Sequence, residues 1–402
     1  MRKRLQVNAE RRRFLLSAGA LAASAAFSPS LFAHTVGSSR LVVMILRGAL
    51  DGLAAVPPYG DPNYLPLHRE LAIAAPGGAD GALALDGTFG LHPSLSFLHE
   101  RFAAGELIVF NAVASPYRDR SHFDGQNVLE NGLAKPIGSA DGWLNRALSA
   151  LSSGAASSKD RAVAVSQNVP LILRGEAAVL SKSPQVTAIL DEDLLTRLAD
   201  LYSKDEWFAA RLSEAVQTDK MVEDAPRSSD ADKVTAAARM AAELMGSAGG
   251  PEIAVIEASG WDTHANQGGA KGTLAVRLGG LDRAVKSLAI GLGPLWQQTA
   301  VLIVTEFGRT AAMNGTRGTD HGTGGCAFLV GGAVRGGQVI ADWPGLAPKA
   351  LLDNRDLQPT LDLRSVFKGL LDEHMRIDAH TLANYVFPDS HGARPLQGLI
   401  RA

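Results

Sequence analysis

Continuous apolar runs separated by polar stretches dominate the chain, and they read as buried strands. Leu41 to Leu46 is the first such run, and it stops at the loop Arg47 to Gly52. Glu106 to Val113 follows a predicted helix over His92 to Ala104 and ends in the polar loop Ser115 to Asp124. Ile253 to Ala258, Thr299 to Thr305 and Ala327 to Val330 repeat the pattern, while Ala162 to Val165 and Leu171 to Leu173 are weaker strand candidates. Runs without polar alternation are the signature of strands covered on both faces.

Helical spacing occupies the intervals. Leu194, Leu195, Leu198 and Leu201, and later Ala237 to Leu244, predict a helical insertion over about 185–245, broken by a loop over Asp224 to Asp232. Further helices are predicted over Gly272 to Leu292 and Leu363 to His374. Strands alternating with helices predict an α/β fold, a mostly parallel sheet with helices on both faces.

The N-terminus falls outside this pattern. Glu10-Arg11-Arg12-Arg13-Phe14-Leu15-Leu16 precedes an Ala- and Ser-rich apolar stretch, and Ser28 to Ala33 has the small residues of a processing site. We read 1–33 as a twin-arginine signal, too short and Ala-rich for a membrane anchor, and 34–402 as a single domain. The expected location is periplasmic or extracellular, with the twin-arginine translocase as the partner in export. That route carries folded proteins, so a cofactor bound before export becomes plausible.

Composition narrows the chemistry. Of the 402 residues 46% are hydrophobic and 20% charged, which fits a packed core. A net charge of −2 with no long run of one sign outside the signal argues against nucleic acid as a partner. Nothing after the signal is apolar for long enough to span a membrane. Cys326 is the single cysteine, so there is no internal disulfide and no thiolate cluster, and any metal must be held by His, Asp and Glu. A dinucleotide glycine fingerprint, an iron–sulfur cysteine set and a haem motif are all missing, which disfavours an oxidoreductase.

In an open α/β sheet the functional crevice lies beyond the carboxyl ends of the strands. The strongest strand candidates lead there to Asp51, to Ser121-His122, to Asp262 with His264, and to Glu306 with Arg309; Asp320-His321 lies in a Gly-rich loop. Asp262 and His264 share a side of an extended segment because side chains alternate with period two. Each residue alone has a plain structural use: Asp51 as a helix cap, Glu306 with Arg309 as an ion pair, Asp320 in a turn. Their common position is what points to a site for a divalent ion or a phosphate-type group.

The stretches Leu46 to Leu53, Arg120 to Phe123, Gly260 to His264, Thr305 to Thr310 and Gly318 to Gly322 resemble the bacterial domain-of-unknown-function 1501 proteins, along most of the chain after the signal. That family in turn resembles a distant branch of the alkaline phosphatase and sulfatase superfamily. The resemblance implies an alkaline phosphatase-like fold and one or two divalent ions, zinc first, with manganese, iron or calcium as alternatives. It implies metal ligands at Asp51, Asp262, His264, Glu306 and His321, a nucleophile at Ser121, and catalytic roles for His122 and Arg309. Phe307 departs from the superfamily pattern, which has His after the strand-end acid. The implied function is an exported hydrolase of a small anionic phosphate or sulfate ester, with Arg47, Arg120 and Arg309 available to the anion. The alternative is a non-catalytic envelope or ligand-binding protein with a degenerate metal site.

Overall fold

A computed structural model describes residues 39–78, 80–152, 161–184 and 230–401. The signal and most of the expected helical insertion lie outside the described residues. The strands are β1 (Arg40–Arg47), β2 (Leu83–Ala84), β3 (Gly90–Leu91), β4 (Leu107–Ala114), β5 (Ala162–Val165), β6 (Leu180–Ser181), β7 (Ile253–Ser259), β8 (Thr299–Thr305), β9 (Gly325–Val330), β10 (Gln338–Ile340) and β11 (Leu361–Asp362). Nine of them form one sheet in the order β10-β4-β9-β8-β1-β7-β5-β6, with β11 also pairing with β4. β2 and β3 make a separate antiparallel pair.

Every pairing in the large sheet is parallel except those of β9, which runs antiparallel between β4 and β8. The mostly parallel α/β architecture expected from the apolar runs is therefore present. One expectation is corrected: Leu171–Leu173 is a 3₁₀ turn, not a strand. Pro170 precedes it, and the N–H groups of Leu173 and Arg174 bond back to Pro170 and Leu171 within the turn rather than across to a strand.

The period of two sorts each strand between two cores. Val42, Met44 and Leu46 of β1 face one side with Ala254, Ile256, Val301 and Ile303. That side is covered by α1 (Ser96–Ala103), and also by the Asp230–Gly246 and Thr273–Leu292 helices. Leu41, Val43 and Ile45 face the other with Val255, Leu302 and Val304, beneath the Trp143–Ser152 and Leu363–Glu373 helices. A buried Val, Leu or Ile side chain contributes roughly 1.5–3 kcal/mol, so a one-residue slip in these strands would reverse both faces at once.

The centre of the sheet positions the site. β1 is hydrogen-bonded to β7 on one side and β8 on the other, in a register that sets Arg47 beside Ser259 and Leu46 beside Thr305. The loops that leave these three strands therefore emerge together at one edge. α2 (His122–Asn131), which follows the loop after β4, brings its first residue to the same edge.

Candidate metal centre

Three histidines and one aspartate converge at that edge. Ligand atoms of His122, Asp262 and His321 all lie within 4.8 Å of one another. His264 adjoins them, with Nε2 3.0 Å from Asp262 Oδ1 and 3.0 Å from His321 Nε2. His321 Nε2 is 3.3 Å and His122 Nε2 3.4 Å from the Asp262 carboxylate.

Backbone geometry delivers each of them. Gly48 lies against the backbone N of Asp262 so closely that a Cβ would stand 2.6 Å from it. Trp261 donates its N–H to the carbonyl of Arg47, which ties the Asp262 loop to the end of β1. Beyond β8, Arg309 and His321 face each other in an isolated antiparallel bridge. Gly308 and Gly324 pack there so tightly that a side chain on Gly308 would meet the Gly324 carbonyl. His122 opens α2 after Ser121, and Phe307 stacks on its ring at 5.1 Å and 26°.

Each imidazole is held from behind through Nδ1. His122 Nδ1 meets Glu306 Oε1 at 2.9 Å, His264 Nδ1 meets Asp320 Oδ1 at 3.2 Å, and His321 Nδ1 meets the carbonyl of Arg120 at 2.8 Å. Carboxylates and carbonyls only accept, so Nδ1 carries a proton in all three rings, and in a ring that is neutral Nε2 keeps its lone pair. The left-handed backbone of Arg120, φ 61°, accompanies the presentation of that carbonyl. An acceptor behind each ring is the outer-shell pattern that orients metal-binding histidines.

Burial differs sharply between the residues behind Asp262 and His122 and the open side of the cluster. The side chains of Glu306 and Arg309 are 0% exposed, against 41% for Asp262 and 44% for His264. Burial works against the charge of Asp262, but Arg309, which donates from Nη1 to Oδ1 at 2.7 Å, holds its carboxyl below the ordinary value. Asparagine 314 does the same for Asp320, with help from His264. The bond to Glu306 pushes His122 upward against its own burial, while burial beside His122 and Arg309 holds His321 below the usual imidazole range.

Asp51 and Glu306 lie outside the converging group. Asp51 Oδ1 caps the short Gly52–Ala55 helix through Leu53 and Ala54 N–H, and its Oδ2 receives Gln267 Nε2 at 2.7 Å and His68 Nε2 at 3.2 Å. Glu306 Oε1 receives Gly48 N–H, His122 and Gln126, and Oε2 receives Thr305 Oγ1. Burial opposes ionisation of both, yet these donors keep both carboxyls below their ordinary values.

Ser121 is the cap residue of α2, but its side chain makes no cap bond. The arginines expected to meet an anion are all engaged with carboxylates. Arg47 pairs with Glu130 and Glu257, Arg120 with Asp353 and Asp356, and Arg309 with Asp262. His68, Gln267 and Asn314 had no signal in the sequence: His68 and Gln267 are lone polar residues that meet Asp51 from 17 and 216 positions away, and Asn314 meets Asp320 within one loop that has no distinguishing pattern.

The donor set suits a divalent ion. Nε2 of His122 is buried without a hydrogen-bond partner among the described residues, although two carboxylates stand nearby. Nε2 of His264 and Nε2 of His321 stand 3.0 Å apart, and with both rings neutral and protonated at Nδ1 their lone pairs would repel unless a proton or a cation sat between them. Imidazoles with one carboxylate are the donors favoured by zinc, iron and manganese.

Residues 108–386 match the family model described as a protein of unknown function, DUF1501. No curated protein matches the chain. Solved structures similar to it include the phosphonate monoester hydrolase of Agrobacterium radiobacter, 11% identical, covering 83% of this chain and 73% of that one with a TM-score of 0.38. A second is the PsFucS1 sulfatase from Pseudoalteromonas sp., 15% identical over 76% and 64%, TM-score 0.34. A third, Ps i-CgsB, is 10% identical over 89% and 77%, TM-score 0.41.

Proposed function

The chain belongs to the DUF1501 family, and we propose from its site that it is a metal-dependent hydrolase of a phosphate or sulfate ester. The observation that carries this reading is the set of three imidazoles, each fixed at Nδ1 from behind, whose Nε2 atoms stand 3.0–3.4 Å from the Asp262 carboxylate. His122, Asp262, His264 and His321 would hold the ion. Zinc, manganese and iron suit these donors, and calcium, which takes oxygen ligands, suits them least.

A bound divalent ion would supply Lewis-acid polarisation of the ester and a lower pKa for an attacking oxygen. The chain's own residues do the positioning. Arg309 keeps Asp262 ionised and fixed, and Glu306 keeps His122 aimed with Nε2 inward. Ser121, beside His122 at the start of α2, is the proposed nucleophile, its hydroxyl not consumed by capping.

One observation favours a second reading. Arg47, Arg120 and Arg309 are already paired with carboxylates, so each would have to share its guanidinium between a carboxylate and an anionic substrate. A protein that holds a metal and binds a ligand without turnover would need no such sharing.

Metal analysis of the purified protein, followed by a panel of phosphate, phosphonate and sulfate esters, separates the two. The hydrolase reading expects stoichiometric metal and turnover that is lost in Asp262→Ala and His321→Ala. Bound metal with no turnover on any ester supports the binding protein, and a folded protein that takes up no zinc, manganese or iron ends both. Export through the twin-arginine translocase to the periplasm or exterior belongs to the same proposal. Lysine at both Arg12 and Arg13 should retain the protein in the cytoplasmic fraction.

A further inference from the structure

Behind Asp262 runs a buried chain of hydrogen bonds that the proposed chemistry does not use. Gln267, 0% exposed, donates from Nε2 to Asp51 Oδ2 at 2.7 Å. Its Oε1 accepts from Thr263 Oγ1 at 2.6 Å and from Thr319 Oγ1 at 3.0 Å. Thr319 in turn receives Arg309 twice, Nε on Oγ1 at 3.3 Å and Nη2 on the carbonyl at 2.6 Å. Arg309 ends the chain on Asp262 Oδ1 at 2.7 Å.

The direction of every bond is determined. Ionised Asp51 can only accept, so the amide of Gln267 must turn Nε2 toward it and Oε1 away. Both threonine hydroxyls then spend their protons on Oε1, which leaves a lone pair of Thr319 Oγ1 facing the guanidinium. Thr263 adjoins Asp262 in sequence, and the N–H of Thr319 bonds to the Thr263 carbonyl. Gln267 therefore joins the loop that carries Asp262 to the loop that carries His321, and both to the fixed end of β1.

We infer that Gln267 is a positioning residue for the metal centre, setting Asp262 through Thr319 and Arg309. The inference rests on the reading that His122, Asp262, His264 and His321 hold an ion. Among the described residues the Gln267 side chain bonds to Asp51, Thr263 and Thr319 and to none of those four, so its effect must pass along the chain. Outer partners of this kind typically govern about 10–100-fold in metal affinity.

The test is a double-mutant cycle in zinc affinity, measured by calorimetry on the metal-stripped protein. Gln267→Met keeps the volume and removes the three bonds, and it should weaken zinc binding at least about tenfold. Arg309→Lys should weaken it as well, and the pair together should lose less than the sum. The cobalt-substituted Gln267→Met protein should show a shifted visible spectrum. If that variant does not fold, Thr319→Val, which removes only a hydroxyl, takes its place with the same expectations. A lower melting temperature with unchanged zinc affinity and cobalt spectrum would overturn the inference, as would strict additivity with Arg309→Lys. Failure of the wild-type protein to bind zinc or cobalt would instead remove the metal reading on which it rests.

Discussion

Glu306 Oε1 stands 2.9 Å from His122 Nδ1, so the strand-end carboxylate acts on the ring and not within the cluster of converging donors. The two residues are 184 positions apart and meet only because β8 and the start of α2 end at one sheet edge. Glu306→Gln keeps an acceptor for His122 and for Gly48 N–H while removing the charge, and zinc affinity should fall about tenfold. Glu306→Ala should cost more, because each buried donor left without a partner costs about 1–3 kcal/mol. Titration calorimetry and thermal melts read the two effects separately. Equal zinc affinity in all three proteins would show that Glu306 has no hold on the site.

Gly48 sits at φ 115°, a conformation that disfavours side chains, and a Cβ there would meet the backbone N of Asp262 at 2.6 Å. Gly48→Ala should therefore both strain β1's exit and push the Asp262 loop outward. Zinc affinity is expected to fall along with the melting temperature. A variant with unchanged affinity would mean that the loop can retreat without moving the carboxylate.

Much of this arrangement was legible in the chain, and the illegible part has a physical reason. Apolar runs such as Leu41 to Leu46 and Thr299 to Thr305 announce strands covered on both faces, and alternation between the two cores follows from them. The same runs carry no direction, so β9 could not be told from its parallel neighbours. Asp262, His264 and His321 were legible as candidates because each follows a strand or a Gly-rich turn. Whether a strand-end carboxylate turns inward or backward is decided by distant donors. Gly48 and His122 draw Glu306 back, and His68 and Gln267 draw Asp51.

Phe307 follows Glu306 and is 3% exposed, packed on His122 and on Gly125 of α2. Truncation to alanine should cost about 3–5 kcal/mol through the lost contacts and the cavity. It should also free the His122 ring, so zinc affinity should fall together with stability. Phe307→Tyr, which preserves the stacking face, should bind zinc like the wild type if its hydroxyl is accommodated. Loss of stability with zinc affinity intact would limit Phe307 to core packing.

His68 and Asp51 form a buried pair whose effect depends on pH. Burial opposes charge on each, but each supports the other: Asp51 raises His68, whose Nδ1 also donates to the Ala311 carbonyl, and His68 lowers Asp51. A raised histidine stabilises fully below its unfolded value, about 6.5, and its contribution is lost as pH rises through the folded value. A lowered aspartate stabilises fully above its unfolded value, about 3.9, and is lost as pH falls through the folded one. The pair should thus contribute most between about pH 4 and 6.5. Removing one partner of a buried pair typically costs about 3–5 kcal/mol, so His68→Leu should lower the melting temperature most in that window. The gap from wild type should narrow as pH rises beyond it. A gap that stays constant from pH 4 to pH 9 would mean that His68 is held neutral and serves only as a hydrogen-bonded spacer.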